Sequence, residues 1–582
     1  MKQTITKRTR LICLLLITAI AGAAVGAGGM LYVMRSQSYL ARGIRNTAQR
    51  IINPPFQETK GLENVVSVEE YVDNIRLPEH QSASAEDKYN RDVKKVYKTD
   101  TRQRLVNYFS GFSVDLPLDY RFHFELSPHR IIAEADGVQI TLTREISPYD
   151  DVEGYVAYYL NRFILDETYQ QENRIRLDKH DTYRAGKNKV EEITVTLEEM
   201  REGVPDKYTY LIIHADKRAF YRIQYRYHSS DKEMEQEIKD TIKSFRYFAP
   251  YGIGKYSVSW QPELPANWSK ETRQTYDRIK NAETVDWGIF CKDIYGEGIE
   301  KSIPELEQKL DYKFPVILSY VHYGSPFPTE FMQKNYEEGR LIELTYQMTT
   351  NNNEDFHCYT PMLDAYRGLL DEEIRAFARD AKAFGKPFLF RLNNEMNSDW
   401  TSYSGVVNLS DPDIYISVWQ RIYEIFEEEG VDNAIWIYNP NDRNYPPCNW
   451  NDFTVYYPGN KYVQMIGLTG YNNGTYYAEQ NGEEWREFEQ IYDEVNTKYK
   501  DLFGSFPWII TEFASSSYGG DKAKWIDNMF GCLDKYPNIK MAVWFSYADF
   551  NEETGVAARP YWLDETPETV EAFARGIKRQ RD

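Results

Sequence analysis

Eight short apolar runs recur between residues 286 and 548, with stretches of helical periodicity between them, and this alternation restricts the chain more than any other feature. The runs are "DWGIFC" (286–291), "PVILSYV" (315–321), "LIELTYQ" (341–347), "PFLFRLN" (387–393), "AIWIYN" (434–439), "VQMIGLTGY" (463–471), "PWIITEF" (507–513) and "MAVWFSYA" (541–548). Such strands alternating with amphipathic helices signal parallel β/α units. Eight units close into a barrel of about 250 residues or more. Residues 249–582 are therefore expected to form an α/β domain, a (β/α)8 TIM barrel. The stretch 413–429 shows how its helices are written: Asp411 can cap, Pro412 suits the first turn, Ile414, Val418 and Ile422 share a face, and Gly430 terminates. In such a barrel, chemistry sits where strands end and loops begin.

At 582 residues the chain exceeds one ordinary domain. "IIAEADGVQITLTRE" alternates apolar and polar residues on both sides of Asp136-Gly137, which predicts a hairpin. A helical stretch near "VEGYVAYYLNRFIL" follows, then strands in "VEEITVTLEE", "YTYLIIHA" and "AFYRIQYRY". A helix opened by a Ser230 to Glu233 capping box completes a small α+β domain over residues 106–248. It gathers no clustered His, Cys or paired acids in an apolar setting, so the expectation for it is a spacer or binding module. Residues 35–105, charged and broken by Pro54 and Pro55, read as a solvated stalk.

The chain begins "MKQTITKRTR" and then runs uncharged from 11 to 34, long enough to cross a bilayer. Ala21, Gly22 and Ala23 would suit the end of a cleaved signal peptide, but the apolar stretch continues through Leu31, Tyr32 and Val33. Residues 1–34 are therefore read as a cytoplasmic tail and an uncleaved transmembrane signal anchor, which makes the membrane a partner and places the later domains outside the cell. A formal charge of -20 argues against a nucleic-acid partner, because phosphate backbones are gripped through clustered Lys and Arg. Aromatic residues at 15% suit surfaces that hold sugars or proteins. Five cysteines show no C-x-x-C or His/Cys spacing, so no metal site is expected. Cys358 and Cys448 fall in loops on one barrel face, where a bridge is open to them outside the cell, although unpaired thiols are the simpler expectation.

The fourth run ends on Asn394-Glu395 and the seventh on Thr511-Glu512, so both glutamates are expected at one rim. With 89 acidic residues in the chain, a lone glutamate says little. Two of them closing buried strands say more, because an isolated carboxylate in apolar surroundings is costly. Facing carboxyls suit cleavage of a glycosidic bond: one protonates the leaving oxygen while the other attacks the sugar or activates water. No metal or organic cofactor is needed. Asn394 can bond sugar hydroxyls and Arg391 can hold charge beneath the site, although strict alternation places Asn394 opposite Glu395 unless the strand ends or bulges there.

"FRLNNEMNSDW", "AIWIYNP", "YYPGNKYVQMIGLTGYN" and "WIITEFA" resemble the strand-four to strand-seven motifs of glycoside hydrolase family 26, whose type activity is endo-β-1,4-mannanase. The resemblance runs in order over 387–515. It implies a retaining barrel enzyme acting on a β-linked polysaccharide, with Glu395 as acid/base and Glu512 as nucleophile. It further implies that Tyr471 holds the nucleophile and that Trp400 follows the acid/base motif. Trp544 and Tyr438 are expected to join Trp400 in offering rings to sugar faces. The family usually has histidine where this chain has Asn394, and its frequent aspartates are replaced by Asn460, Lys461, Gln464 and Thr469. Those departures loosen mannan specificity and leave a competing expectation, a non-catalytic carbohydrate-binding protein on a degenerate barrel.

Overall fold

The computed structural model describes residues 94–123, 127, 129–250, 259–349 and 359–581. The segment expected to cross a membrane (11–34), most of the expected stalk and Cys358 lie outside the described residues. Among the described residues no helix is long and apolar enough to cross a membrane.

Antiparallel strands come first. β1 (Lys94–Lys98), β2 (Arg102–Asn107), β3 (Phe112–Pro117) and β11 (Arg246–Tyr247) pair in that order into one sheet. A seven-stranded sheet contains β4 (Arg121–His123), β5 (Arg130–Ala135), β6 (Val138–Ile146), β7 (Ile175–Ala185), β8 (Asn188–Leu197), β9 (Lys207–His214) and β10 (Ala219–Tyr227), ordered β4-β5-β6-β10-β9-β8-β7. β1 and most of β2 fall in the stretch read as stalk, because their buried apolar residues are few among lysines and arginines. β7 was not expected either: it is the edge strand, and its side chains are mostly solvated. The hairpin at Asp136-Gly137 is present, with Ala135 opposite Val138 and Gly137 at φ +70°. The last helix spans Met234–Ser244 without the expected capping box; Asp231 Oδ1 instead accepts the N–H of Glu233 at 2.9 Å.

One face of the large sheet, through Leu211, Ile213 and Ile223, packs on the small sheet and on Ile238 and Ile242 of that helix. Its other face, through Ile193, Tyr208, Tyr210, Ile212 and Phe220, continues into the apolar layer outside the barrel as one core. The two-sheet module is thus welded to the barrel by apolar packing.

The barrel strands are β12 (Asp286–Cys291), β13 (Val316–His322), β14 (Leu341–Gln347), β15 (Phe388–Leu392), β16 (Ala434–Tyr438), β17 (Met465–Thr469), β18 (Trp508–Phe513) and β19 (Ile539–Ser546). Each runs parallel to the next and β19 pairs with β12, so the barrel closes. Alternation sends Leu389, Ile435, Ile437, Met465, Ile509, Met541 and Val543 inward. The helix Pro412–Glu429 begins at Asp411, whose side chain accepts the N–H of Asp413, and ends at Gly430 with φ +74°.

The same alternation corrects two expectations. Trp544 lies between inward Val543 and Phe545 and therefore points out of the barrel, packed against Phe513, Trp525 and Phe573 with its Nε1 donating to the Tyr561 carbonyl at 2.8 Å. Tyr438 follows inward Ile437 and likewise points out, buried among Trp419, Tyr457 and Phe503. Neither ring is open to a sugar.

Candidate active site

β15 stops at Leu392, and Asn393 and Glu395 take left-handed backbone at φ +50° and +57°. Such conformations cost roughly 1–3 kcal/mol each and persist where surrounding bonds over-determine them. Here the Asn393 N–H donates to the Tyr346 carbonyl at 2.9 Å, Asn393 Oδ1 accepts from Met348 N–H at 2.8 Å, and the Glu395 N–H donates to the Asn439 carbonyl at 2.7 Å. Because the strand has already ended, Asn394 and Glu395 share one side of the turn.

A different device turns Glu512. Thr511 reaches inward, 3.2 Å from Thr469 Oγ1, so alternation would send the next side chain outward. Strand pairing slips between Leu468 and Thr469 against β17 and between Ile510 and Phe513 against β19. This bulge presents both Thr511 and Glu512 to the barrel mouth.

The two carboxyls meet over one amide. Asn394 Nδ2 lies 3.4 Å from Glu395 Oε2 and 3.4 Å from Glu512 Oε1. They are separated by no more than two long hydrogen-bond lengths. Arg391 Nη1 pairs with Glu512 Oε1 at 2.6 Å, and Tyr471 Oη donates to Glu512 Oε2 at 2.9 Å, so both oxygens of Glu512 are held. The Arg391 guanidinium is fully buried, donating to Thr345 Oγ1 at 2.7 Å and Asn439 Oδ1 at 3.0 Å and pairing with Glu343 at 3.2 Å. Asn441 Nδ2 donates to Glu395 Oε1, and Trp400 also hydrogen-bonds Glu395. The Trp400 ring is half-buried, 5.1 Å from that of Tyr445.

Burial, then the charge of Glu512, pushes the Glu395 carboxyl up to about 8, against opposing pulls from Asn441, Arg391 and Trp400. Glu343 is likewise pushed up to about 8, by burial first, with Arg391 pulling down and Glu512 pushing up. At neutral pH the raised Glu395 carboxyl therefore favours its proton-loaded form, as does Glu343 beneath it, and Glu395 stands beside Glu512, whose oxygens are both engaged. That asymmetry suits paired acid and nucleophile chemistry.

Of the residues singled out in the sequence, Glu395, Glu512, Asn394, Arg391, Tyr471 and Trp400 come together; Trp544 and Tyr438 do not. The inward ring on β19 is Phe545, stacked 4.7 Å from Phe290 and 6.0 Å edge-on to Tyr471. Sequence reading missed Asn441, Gln347 and Tyr403. The last two reach Asn394 Oδ1 at 3.0 and 2.9 Å and orient its amide toward the carboxyls. Asn441 was open to detection, standing just past the end of the fifth run. Glu343 carried a signal too, as an acid inside the apolar run "LIELTYQ". Cys448 is a free, buried thiol. Among the described residues, no His, Cys, Asp and Glu side chains group as a metal site.

Residues 344–512 match the family model of Glycosyl hydrolase family 26, so the resemblance carried by the strand-end motifs is shown for this part of the barrel. Endoglucanase H of Acetivibrio thermocellus is 28% identical over 288 residues, 48% of this chain and 29% of that protein. A mannan endo-1,4-beta-mannosidase of Bacillus subtilis is 28% identical over 162 residues, 24% of this chain and 42% of that one. The match spans less than half the length of either relative. The solved catalytic domain of the family 26 endo-beta-1,4-mannanase of Bacillus sp. JAMB-750 aligns over 55% of this chain and 93% of that one, at 14% identity and TM-score 0.41.

The raised Glu395 carboxyl has a sign that stability measurements can read. Between its ordinary 4.5 and about 8 the folded chain holds a proton that the unfolded chain releases, so this group favours folding at low pH and opposes it as pH rises. Glu395→Gln removes the opposition. Calorimetry is expected to find the variant more stable than the parent at pH 9, with the difference shrinking toward zero at pH 4.

Proposed function

We propose that this protein is a retaining glycoside hydrolase cleaving a β-linked polysaccharide, β-1,4-mannan first among candidates. The observation that carries this reading is Asn394 Nδ2 at 3.4 Å from both Glu395 and Glu512 while Arg391 and Tyr471 hold Glu512. The family 26 match and the mannan-cleaving relative support it.

In the proposed double displacement, Glu512 attacks the anomeric carbon and forms a glycosyl ester. Glu395 gives its proton to the departing oxygen, then accepts one from the water that releases the sugar. Arg391 and Tyr471 fix the attacking carboxylate, so little geometry remains to be found at the moment of reaction. Asn394, oriented by Gln347 and Tyr403, is placed to donate to a sugar hydroxyl once substrate displaces its long contacts. The half-buried rings of Trp400 and Phe545 are offered as the apolar surfaces for sugar. Retention is the outcome assigned, because in this reading Glu512 attacks the sugar itself and does not activate a water. The endoglucanase relative makes β-glucan the first alternative substrate to assay.

The uncharged segment 11–34 is further proposed to anchor the protein in the cell membrane with the barrel outside. Full-length protein is then expected in the carbonate-resistant membrane fraction and a chain lacking residues 1–34 in the soluble one; equal partitioning of the two would sink the anchor.

Hydrolysis is tested on β-mannans, xylans and mixed-linkage glucans. Glu512→Gln is expected to fall to background on whichever glycan the parent cuts, and Glu395→Ala by about 10²–10⁴-fold. Activity needs the protonated Glu395, so kcat/KM is expected to decline as pH rises through about 8. Proton NMR should show the β-anomer released first. An inert parent protein, or a first-formed α-anomer, contradicts the reading.

A further inference from the structure

The loop from Glu395 to Asp411 is buried along most of its length, and the two-sheet module donates hydrogen bonds to its backbone. Leu409 and Ser410 take left-handed backbone at φ +57° and +49°. Tyr210 on β9 donates its hydroxyl to the Leu409 carbonyl at 2.7 Å, Arg222 on β10 donates to the Ser410 carbonyl at 2.6 Å, and the hydroxyl of Tyr169 donates to the Val407 carbonyl. The first two donors meet the backbone that is hardest to hold, where a non-glycine residue resists the conformation, and the third meets it two residues earlier.

A second set of bonds starts at Glu145 on β6. This carboxylate accepts the backbone N–H of Asn449 at 2.6 Å and of Trp450 at 2.9 Å. Next in the chain, Asn451 Nδ2 donates to the Asn397 carbonyl at 2.9 Å. Asn397 and Asn441 then clasp each other: Asn397 Nδ2 donates to the Asn441 carbonyl at 3.1 Å, and the Asn441 N–H donates to Asn397 Oδ1 at 2.7 Å. The Asn441 amide in turn donates to Glu395. An unbroken path of hydrogen bonds and peptide links therefore joins the module to the carboxyl proposed as acid.

We infer that the module is a positioning element for the reaction proposed above, in which Tyr169, Tyr210 and Glu145 hold the two loops that orient Glu395 and keep water from it. The inference rests on the hydrolase reading. The charged and titratable groups facing Glu395 are Glu512 from β18, Arg391 from β15, Tyr471 beyond β17 and Tyr403 from its own loop, and none belongs to the module. Loosening the module's grip leaves those groups in place. It admits water to Glu395 and lowers its hold on the proton, because burial is the main reason that hold is strong.

The test is the Tyr169→Phe/Tyr210→Phe double variant, which deletes two donors and keeps both rings, with Glu145→Gln as an independent second variant of similar shape. Each is compared with the parent across pH on soluble β-mannan and on a 2,4-dinitrophenyl β-glycoside of the same sugar, whose leaving group needs no proton. Circular dichroism checks that the variants are folded. The expected result is a loss of about tenfold or more in kcat/KM on the polymer, a basic limb moved about one pH unit lower, and little change in kcat/KM on the dinitrophenyl substrate, a ratio that ends at the glycosyl ester and leaves out the later base step. Equal losses on both substrates with an unmoved limb reduce the module to a structural prop and overturn the inference alone. A parent protein inactive on every glycan and on the dinitrophenyl glycoside overturns the hydrolase reading, and this inference with it.

Discussion

The guanidinium of Arg391 lies at the centre of the barrel without contact with solvent, and the site is arranged around that charge. A buried cation without a partner is too costly to keep, which is why Glu512 must come within 2.6 Å of it and why the bulge in β18 is needed to bring it there. Glu343 also pairs with the guanidinium, at 3.2 Å, and burial pushes its carboxyl up to about 8 although Arg391 pulls it down. Glu395, buried beside the Glu512 so held, is pushed up to about 8, by burial first and by Glu512 second. A single buried charge thus fixes where Glu512 stands, while burial, against the pull of that charge, pushes Glu343 and Glu395 up.

The barrel was legible because its signal is repeated. Eight apolar runs, each of strand length, leave few alternatives, and the observed strands begin and end within two residues of the expected bounds. The site was legible at strand ends, where Glu395, Glu512 and Tyr471 break an apolar pattern. It was illegible wherever a single residue of phase decides the outcome. Trp544 and Phe545 are adjacent, and only closure of the barrel tells which one faces inward. Glu512 has the opposite history: simple alternation from Thr511 would turn it away, and a pairing slip that composition does not advertise turns it back.

The module was harder to read. Its outer strands are dressed in lysine and arginine and resemble linker, while its inner strands carry tyrosines and buried acids that make sense only against the barrel. Glu145 has no obvious role within its own sheet; its partners are backbone N–H groups some 300 positions later. Asp413, which the sequence places in the first turn of a helix, meets Arg130 of the module at 2.9 Å. Such long-range pairings leave no periodic trace, so a domain read as a spacer or binding module carries no sign in the sequence that it shares a core with the barrel.

The central claim is that Glu512 forms a bond to sugar while Glu395 serves as its proton partner. Incubation with a 2-deoxy-2-fluoro β-glycoside bearing a good leaving group, followed by proteolysis and mass spectrometry, tests it directly. The account predicts one stable glycosyl adduct, on the peptide carrying Glu512 and at that side chain. A label on any other residue, or turnover of the probe without a trapped adduct, contradicts it.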